Sequence, residues 1–436
     1  MEIAGVVVYG TLHAEDCDFM ATYTPLSFLD AGAAYTKPNS LVNCRFMYGY
    51  HHPSGNGGGL VVFTDSRDIT IEKCRFAYNA GWQYSGFQSA PIAIKDVNNL
   101  TMRNCIIEEN AVSDSCPAIM QVSSVDNRFV MERCIFRNNV KDGTGGSPNN
   151  IGSPLRIDSI SLKPDNVIRD TLFEGNITKE ESAADPIYVR HASAIAFDRG
   201  ILNLVCCSFI NNTLDLKSAR EDSLGSTVLF ACLDKERSLM SINNVYTGNR
   251  ILNYNHKSDV AFGFSTARND YGAMFINDVY DCDDNGYEGI MFPYNNVGFM
   301  VANCRFPGYS AGKYYTTADS FDVGNSSKLP NVAGKIAKGA NGVYAVPVRG
   351  VNAQGAPIYI GSDNVYYAYL PQVNPDKPYW GLLSKRANWS VAAVPGMENG
   401  KDEINKDAWG APPISTRNRP SLGPVNLANG FYIHLR

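Results

Sequence analysis

Four polar side chains stand at one distance from a proline, and their types suit chemistry on an acidic sugar. Four residues after a proline lie Lys95, Gln121, Asp158 and Arg190. β-Elimination from a uronic acid needs a base beside the carboxylate and a cation that stabilises the developing negative charge. Lys95 is the candidate base because arginine stays protonated, and Arg190 is the candidate partner of the carboxylate. Asp158 is a candidate calcium ligand, although one carboxylate is far short of a full calcium shell.

Further polar residues extend this row and complete a predicted substrate-binding face. Gln121 within the row is a candidate substrate-binding residue, as are Arg156, Tyr188 and His191 beside it, and a glycine-rich loop contributes His51 and His52. Such side chains suit an extended anionic sugar chain that runs along the molecule. The alternative is that they are solvated residues on the outside of a β-rich protein, where polar side chains are expected anyway.

An acidic cluster, Asp281, Asp283 and Asp284, is a second candidate for calcium binding. Asp283 stands where other repeats carry a turn asparagine, so a role in the turn is the alternative. No other cofactor is indicated by the sequence.

These residues are positioned by an internal repeat in which cysteine, an apolar residue two positions later and asparagine five positions later recur. Cys105, Ile107 and Asn110 define the register. A repeat of this length indicates stacked supersecondary units. Ten copies occur at spacings of 26 to 37 residues, with anchors at Cys17, Cys44, Cys74, Cys105, Cys134, Thr171, Cys207, Asn244, Asp278 and Cys304.

A short strand precedes each anchor in the chain, and several of these strands begin with proline. After Pro91 and Pro154, for example, the first and third residues are apolar and the fourth is polar. This alternation is typical of a half-buried strand. The links between strands are too short for helices, so successive copies align in parallel only if the chain coils. The sequence therefore predicts an all-β solenoid, a parallel β-helix of about ten coils, with a two-layer sandwich as the alternative.

Within this solenoid, residues of one type should stack on residues of the same type in neighbouring coils. The anchor cysteines share the inward face with the aromatic residues, so we expect a column of free thiols rather than disulfides or a metal site. The asparagines should occupy left-handed corners and hydrogen-bond along the stack. After Tyr309 the register ends. We therefore predict a solenoid over residues 1–309 and a β-rich C-terminal cap over residues 310–436, which covers the last open edge.

The bulk composition restricts the partners. The chain has 436 residues, 44% hydrophobic, and a net charge of −5, which gives no electrostatic reason to expect nucleic acid or an anionic membrane as a partner. No apolar run reaches the ~20 residues of a membrane span. The first residues, MEIAGVVVYG, already read as a strand rather than a signal peptide. The protein is therefore either cytoplasmic or part of a longer precursor. Because the first repeat begins abruptly, without a capping segment, we expect the second: an extracytoplasmic protein, secreted or attached to the surface, whose signal or N-terminal segment is absent from this chain.

Phe-x-x-Asn units two residues after a cysteine, such as Phe136–Asn139 and Phe209–Asn212, resemble a known family. They are similar to right-handed parallel β-helix proteins of the pectate-lyase-like superfamily, in particular to the chlamydial-polymorphic-type repeat surface proteins of Bacteroidetes. The resemblance implies a right-handed solenoid that hosts lyases, hydrolases, adhesins or phage tailspikes. The polygalacturonase motifs NTD, GHG and RIK are absent. We expect binding, and cleavage by β-elimination, of an acidic polysaccharide or cell-surface glycan; the alternatives are a non-catalytic adhesin or stalk, or a tailspike-like protein.

Overall fold

Four parallel sheets wrap the chain into a solenoid in a computed structural model. The described residues are 4–8, 11–20, 24–29, 38–51, 61–81, 90–113, 116–143, 151–161, 166–180, 189–217, 219, 223–230, 237–242, 244–253, 257–262, 271–276, 278–281, 287–291, 297–302, 315–316, 348–351, 357–360 and 366–368. Among them the regular elements are strands, and no helix is long and apolar enough to cross a membrane.

Each complete coil contributes one strand to each of the sheets A, B, C and D, in that order along the chain. Sheet A comprises Ala4–Val8, Thr24–Leu29, Val61–Thr64, Ile92–Lys95, Ala118–Val122, Ile151–Ile157, Arg190–Phe197, Leu224–Phe230, Lys257–Phe262, Tyr287–Met291 and Tyr315–Thr316. Sheet B comprises His13–Glu15, Asn39–Val42, Asp68–Glu72, Val97–Arg103, Val125–Glu132, Val167–Arg169, Gly200–Val205, Arg237–Ile242, Tyr271–Ile276 and Val297–Ala302.

The strands of the other two sheets are shorter and follow the two corners of each coil. Sheet C comprises Asp18–Met20, Arg45–Met47, Arg75–Ala77, Ile106–Glu108, Ile135–Arg137, Leu172–Glu174, Ser208–Ile210, Val245–Thr247 and Val279–Asp281. Sheet D comprises Tyr50–His51, Ala80–Gly81, Ala111–Val112, Val140–Lys141, Ile177–Glu180, Thr213–Leu216 and Arg250–Leu252.

The predicted parallel β-helix of about ten coils is confirmed, since sheet B has 10 strands and all four sheets pair in parallel. Sheet A continues past the predicted boundary at residue 309, because Tyr315–Thr316 pairs with Tyr287–Met291. Beyond it, the described residues form one antiparallel sheet, Val348–Val351, Pro357–Ile360 and Tyr366–Ala368. That the region from residue 310 caps the solenoid stays a prediction.

The core consists of columns in which one residue type stacks on itself. Phe46 and Phe76 are stacked with ring centroids 4.9 Å apart, and so are Phe136 and Phe173. The described cysteines are free, and those on the anchor position from the second coil onward are buried, as predicted. Burial raises the pKa of the Cys44 thiol to about 11, so this thiol stays protonated and behaves as a small apolar side chain.

A buried ladder of asparagine amides runs beside the aromatic column. Asn110 donates from Nδ2 to Oδ1 of Asn139 in the next coil at 2.9 Å and to the carbonyl of Phe76 in the previous coil at 2.9 Å. Its Oδ1 accepts from the backbone and the side chain of Asn79. The pattern continues through Asn176, Asn212 and Asn249. Each central asparagine thus has both amide groups satisfied without water.

The expectation that these asparagines take the left-handed conformation is wrong. The residue before each of them has the positive φ: 58° at Tyr78, 53° at Glu109 and 52° at Asn138. The corner therefore turns one residue earlier, which directs the asparagine side chain inward and leaves the left-handed residue on the outside.

Replacing a central rung should destabilise the solenoid. We expect Asn139→Ala to lower the free energy of unfolding by about 1–3 kcal/mol, because it removes the acceptor of the buried Asn110 backbone N–H and the side-chain donor to the Ile107 carbonyl. The matched control is Asn138→Gly, which changes the exposed neighbour and keeps the left-handed corner. Urea denaturation of both variants checks this, and equal midpoints would contradict the role of the ladder.

Candidate functional site

The predicted row of four polar residues is not a row in the structure. Gln121 is level with Arg156, whereas Lys95 is level with Thr64 and Arg190 with Ile151. The prolines do not mark a constant register, because the strands of sheet A begin at different distances from them. Met120, the third residue after its proline, pairs with Ile92, the first after its own.

Lys95 and Arg190 lie at opposite ends of the sheet A strands. Arg190 is level with Ile151 at the start of its strand, and Lys95 follows the row that ends at Ile157. Seven residues of strand separate these levels, about 23 Å at ~3.3 Å per residue. Lys95 is exposed and lies 3.6 Å from Asp96, whereas Arg190 is buried. The two side chains are therefore too far apart to act on one sugar unit.

Asp158 joins two other predicted residues, Arg156 and Gln121, in a network at the C-terminal end of the sheet A strands. Its carboxylate accepts hydrogen bonds from Arg156 Nε, Gln121 Nε2 and, at 3.3 Å, Ser123 Oγ. Arg156 also donates from Nη1 to the Ile151 carbonyl at 3.3 Å, so its guanidinium reaches back along its own strand. Both carboxylate oxygens are thus engaged by cationic or amide donors. Their use as calcium ligands stays a prediction.

The remaining predicted residues fall into two groups. For His51 and Asp281 the structure gives the backbone, each at the end of a strand, Tyr50–His51 and Val279–Asp281. Outside the described residues lie His52, Tyr188, Asp283 and Asp284. In the described part of the chain, no group of three or more His, Cys, Asp or Glu side chains could hold a metal ion.

Three ionisable side chains are buried where sheet D meets the sheet A strand of the following coil. Lys141, Glu180 and His191 are 0%, 3% and 0% exposed. Thr178 Oγ1 donates to the Ala192 carbonyl at 2.8 Å, which brings the strands that carry Glu180 and His191 into direct contact. We call these three residues the junction group. The Lys141 ammonium donates to the backbone carbonyls that follow it, of residues 142 and 143, at 2.7 Å each.

Neither carboxylate oxygen of Glu180 has a hydrogen-bond partner among the described residues, whereas the His191 ring interacts with the backbone of Arg190. Buried polar atoms are nearly always paired, so an unpaired carboxyl at this position is unusual. The His191 ring packs against Gly152, its partner in the previous coil of sheet A. A Cβ on Gly152 would lie 3.1 Å from Nδ1 of the imidazole. The backbone is thus shaped around this ring.

Burial shifts the pKa values of Glu180 and His191 in opposite directions. It raises the pKa of Glu180 to about 7, against the opposing influence of Lys141. It lowers the pKa of His191 to about 3, and the positive charges of Lys141 and Arg156 act in the same direction. Strongly shifted groups of this kind are concentrated at functional sites. Lys141 and Glu180 are not predicted by residue spacing, because their burial depends on how sheet D packs on the next coil.

A different feature is exposed at the corner between sheets C and D. Tyr48 and Tyr78 are 55% and 43% exposed and stack with ring centroids 5.2 Å apart and an interplanar angle of 8°. Both have left-handed backbone, with φ of 57° and 58°. Met20, another exposed apolar residue, belongs to the first coil of the same corner region. We call Tyr48 and Tyr78 the tyrosine pair.

Polar residues continue and flank the tyrosine pair. The same corner position in the next two coils is taken by Glu109 and Asn138, and Asn138 Nδ2 donates to Glu109 Oε1 at 2.9 Å. Arg45 and Arg75 precede the two tyrosines by three residues. Their guanidinium groups pair with Asp18 and Glu108 and remain partly exposed. Aromatic, carboxylate, amide and guanidinium groups therefore line one ridge.

Comparison with known proteins supports the fold. Residues 4–153 match a family model described as a right handed beta helix region. This match and the parallel sheets establish a right-handed parallel β-helix. The match supports at most a carbohydrate-binding or a structural role. No curated protein and no solved structure matches the chain significantly. The narrower resemblance to Bacteroidetes surface repeats stays a prediction.

The raised pKa of Glu180 predicts a pH-dependent stability. Because the folded pKa of about 7 exceeds the ordinary 4.5, the neutral carboxyl stabilises fully below pH 4.5, and this contribution is lost as the pH rises through 7. Glu180→Gln stays neutral, so it should be more stable than the wild type by about 1–3 kcal/mol at pH 8 and similar to it at pH 4.5.

Urea denaturation at the two pH values measures this difference. The matched control is Glu15→Gln, which removes a charge from an exposed residue. A Glu180→Gln variant that is no more stable than wild type at pH 8 would contradict the burial of an unpaired carboxyl.

Proposed function

We propose that this protein is an extracytoplasmic carbohydrate-binding solenoid, which holds an extended acidic polysaccharide or cell-surface glycan along its axis. The tyrosine pair carries the proposal. Aromatic side chains present apolar surface with a polar hydroxyl at the end, which suits the mixed apolar and polar surface of a sugar ring. The neighbouring carboxylate, amide and guanidinium groups supply hydrogen bonds for hydroxyls and for sugar carboxylates.

Backbone strain at Tyr48 and Tyr78 supports a functional role for the pair. Left-handed backbone is unfavourable for a bulky residue, and after Glu109 in the next coil the equivalent corners use Asn138, Gly175 and Asn211. A residue that costs about 1 kcal/mol of backbone strain in two consecutive coils indicates that its side chain is needed there.

The repeat of the solenoid suits an extended polymer. The tyrosine rings repeat at 5.2 Å, close to the ~4.8 Å spacing of paired strands. A glycan that lies along the axis would place successive sugar units over successive coils, so binding should increase with chain length rather than with the identity of one terminal sugar.

Replacing both tyrosines with asparagine should weaken glycan binding but leave the stability of the protein nearly unchanged. We expect the double variant Tyr48→Asn/Tyr78→Asn to lose at least 10-fold in affinity for its glycan, while its melting temperature stays within about 3 °C of wild type, because relief of backbone strain offsets the lost stacking. The measurements are a glycan array with acidic and neutral polysaccharides, titration calorimetry on the hits, and thermal unfolding.

The matched control is Leu252→Gln, which replaces an exposed apolar residue far along the solenoid. Unchanged binding in the tyrosine variant, or equal loss in the control, would contradict the assignment of the ridge.

A structural stalk is the second candidate, and the uninterrupted amide ladder favours it because such a ladder makes a rigid rod. A stalk would bind no glycan on the array. A tailspike-like protein would form a detergent-resistant trimer, which light scattering and electrophoresis detect.

A further inference from the structure

The cysteines at the anchor position of the first five coils are level with one another and share one side-chain conformation. They are Cys17, Cys44, Cys74, Cys105 and Cys134, and the residues that follow them pair strand to strand. Each sulfur lies 3.2 to 3.4 Å from the carbonyl oxygen two residues earlier in the chain. The sulfurs therefore repeat along the axis at the ~4.8 Å spacing of paired strands. We call these five residues the thiol column.

Neighbouring residues of the thiol column are in direct contact. The backbone N–H of Cys44 donates to Sγ of Cys74 at 3.4 Å. Burial raises the pKa of Cys105 well above its ordinary value, and hydrogen bonds with the thiols of Cys134 and Cys74 act in the same direction. The hydrogen bond with Cys105 in turn lowers the pKa of Cys74. The thiols thus form a continuous file in which each sulfur faces the next.

We propose that the thiol column binds monovalent soft metal ions of the Cu(I) type, each held in line between two cysteines of neighbouring coils. Soft thiolate sulfur is the ligand that selects Cu(I). With metal–sulfur bonds of about 2.3 Å, as for zinc, a linear sulfur–metal–sulfur unit spans about 4.6 Å. This length is close to the ~4.8 Å between paired strands. Such an ion has two ligands, so it needs none of the larger ligand groups that hold structural zinc.

Binding exchanges one proton for one metal ion. The S–H bond of one thiol breaks, a sulfur–metal bond forms, and the proton leaves to solvent. The neighbouring thiol keeps its proton and binds the ion through a lone pair. No electron is transferred, and a single positive charge replaces another. The core therefore gains no net charge, which would be costly in apolar surroundings.

The thiol column is accessible at its first residue. Cys17 is partly exposed, whereas the four cysteines behind it are buried. The carboxylates of Glu15 and Asp16, next to it in the chain, are exposed and favour the approach of a cation. The first ion therefore enters between Cys17 and Cys44, and deeper ions pass from thiol to thiol along the file.

The geometry limits the number of ions. A sulfur that binds one ion in line has no lone pair directed at the opposite side, so ions occupy alternate gaps and the five cysteines hold at most two. Cys44→Ala leaves three adjacent cysteines, which hold one ion. The double variant Cys44→Ala/Cys105→Ala leaves no two cysteines of the column adjacent, so it holds none there.

The test counts the ions by native mass spectrometry, after anaerobic loading with Cu(I) and removal of weakly bound metal by a Cu(I) chelator. Compared with wild type, Cys44→Ala should retain one ion fewer and the double variant two fewer. The matched control is Cys207→Ala, because Cys207 is buried at the same repeat position but is level with Thr171 and Asn244. This control should retain as many ions as wild type.

Two results would overturn the proposal. One is a folded wild type that retains no Cu(I). The other is an equal count in wild type and the double variant, which would mean an adventitious ion only, bound outside the thiol column. Circular dichroism of each variant establishes that it is folded. None of these substitutions changes the tyrosine pair, so glycan binding by the same proteins is a separate outcome.

Discussion

Parallel pairing of each coil with the next is the constraint on which the rest of this structure depends. A one-residue slip would move inward residues outward, so some interaction must define the register of each coil. The buried amides do so, because Oδ1 of Asn139 meets the Nδ2 and the backbone N–H of Asn110 only when the two asparagines are level. The aromatic rings then stack in the same register, as Phe173 does on Phe209 at 5.2 Å.

Charged side chains on the outer surface follow the same register from coil to coil. Glu108 is clamped between Arg75 of the previous coil and Arg137 of the next, and Glu132 is similarly held by Arg103 and Arg169. These carboxylates are nearly buried while the guanidinium groups remain partly exposed. Charges on the outside of the solenoid are thus largely balanced within their own columns. Departures from column order, such as tyrosine at a left-handed corner, are therefore informative.

The spacing of residues predicted the coils correctly but not the register of the polar residues in sheet A, for one physical reason. The cysteine, phenylalanine and asparagine positions sit around two tight corners of constant length, so their spacing is preserved from coil to coil and can be read directly. Sheet A follows segments of variable length, and its strands contain irregularities, for example between Gly152 and Leu155. Counting from prolines therefore misaligned Lys95 and Arg190, and burial at the junction between sheets D and A could not be read from spacing.

A solenoid can tolerate groups that locally destabilise the folded state. Its stability is close to a sum of terms within coils and between neighbouring coils, so an unfavourable group affects mainly the adjacent interfaces. The buried Glu180 and His191 lie where complete amide rungs, Asn139 to Asn176 and Asn176 to Asn212, cross the same coils. In a fold without such a ladder, two buried ionisable groups would threaten the register of the strands. Here the ladder holds the register, so the solenoid tolerates them.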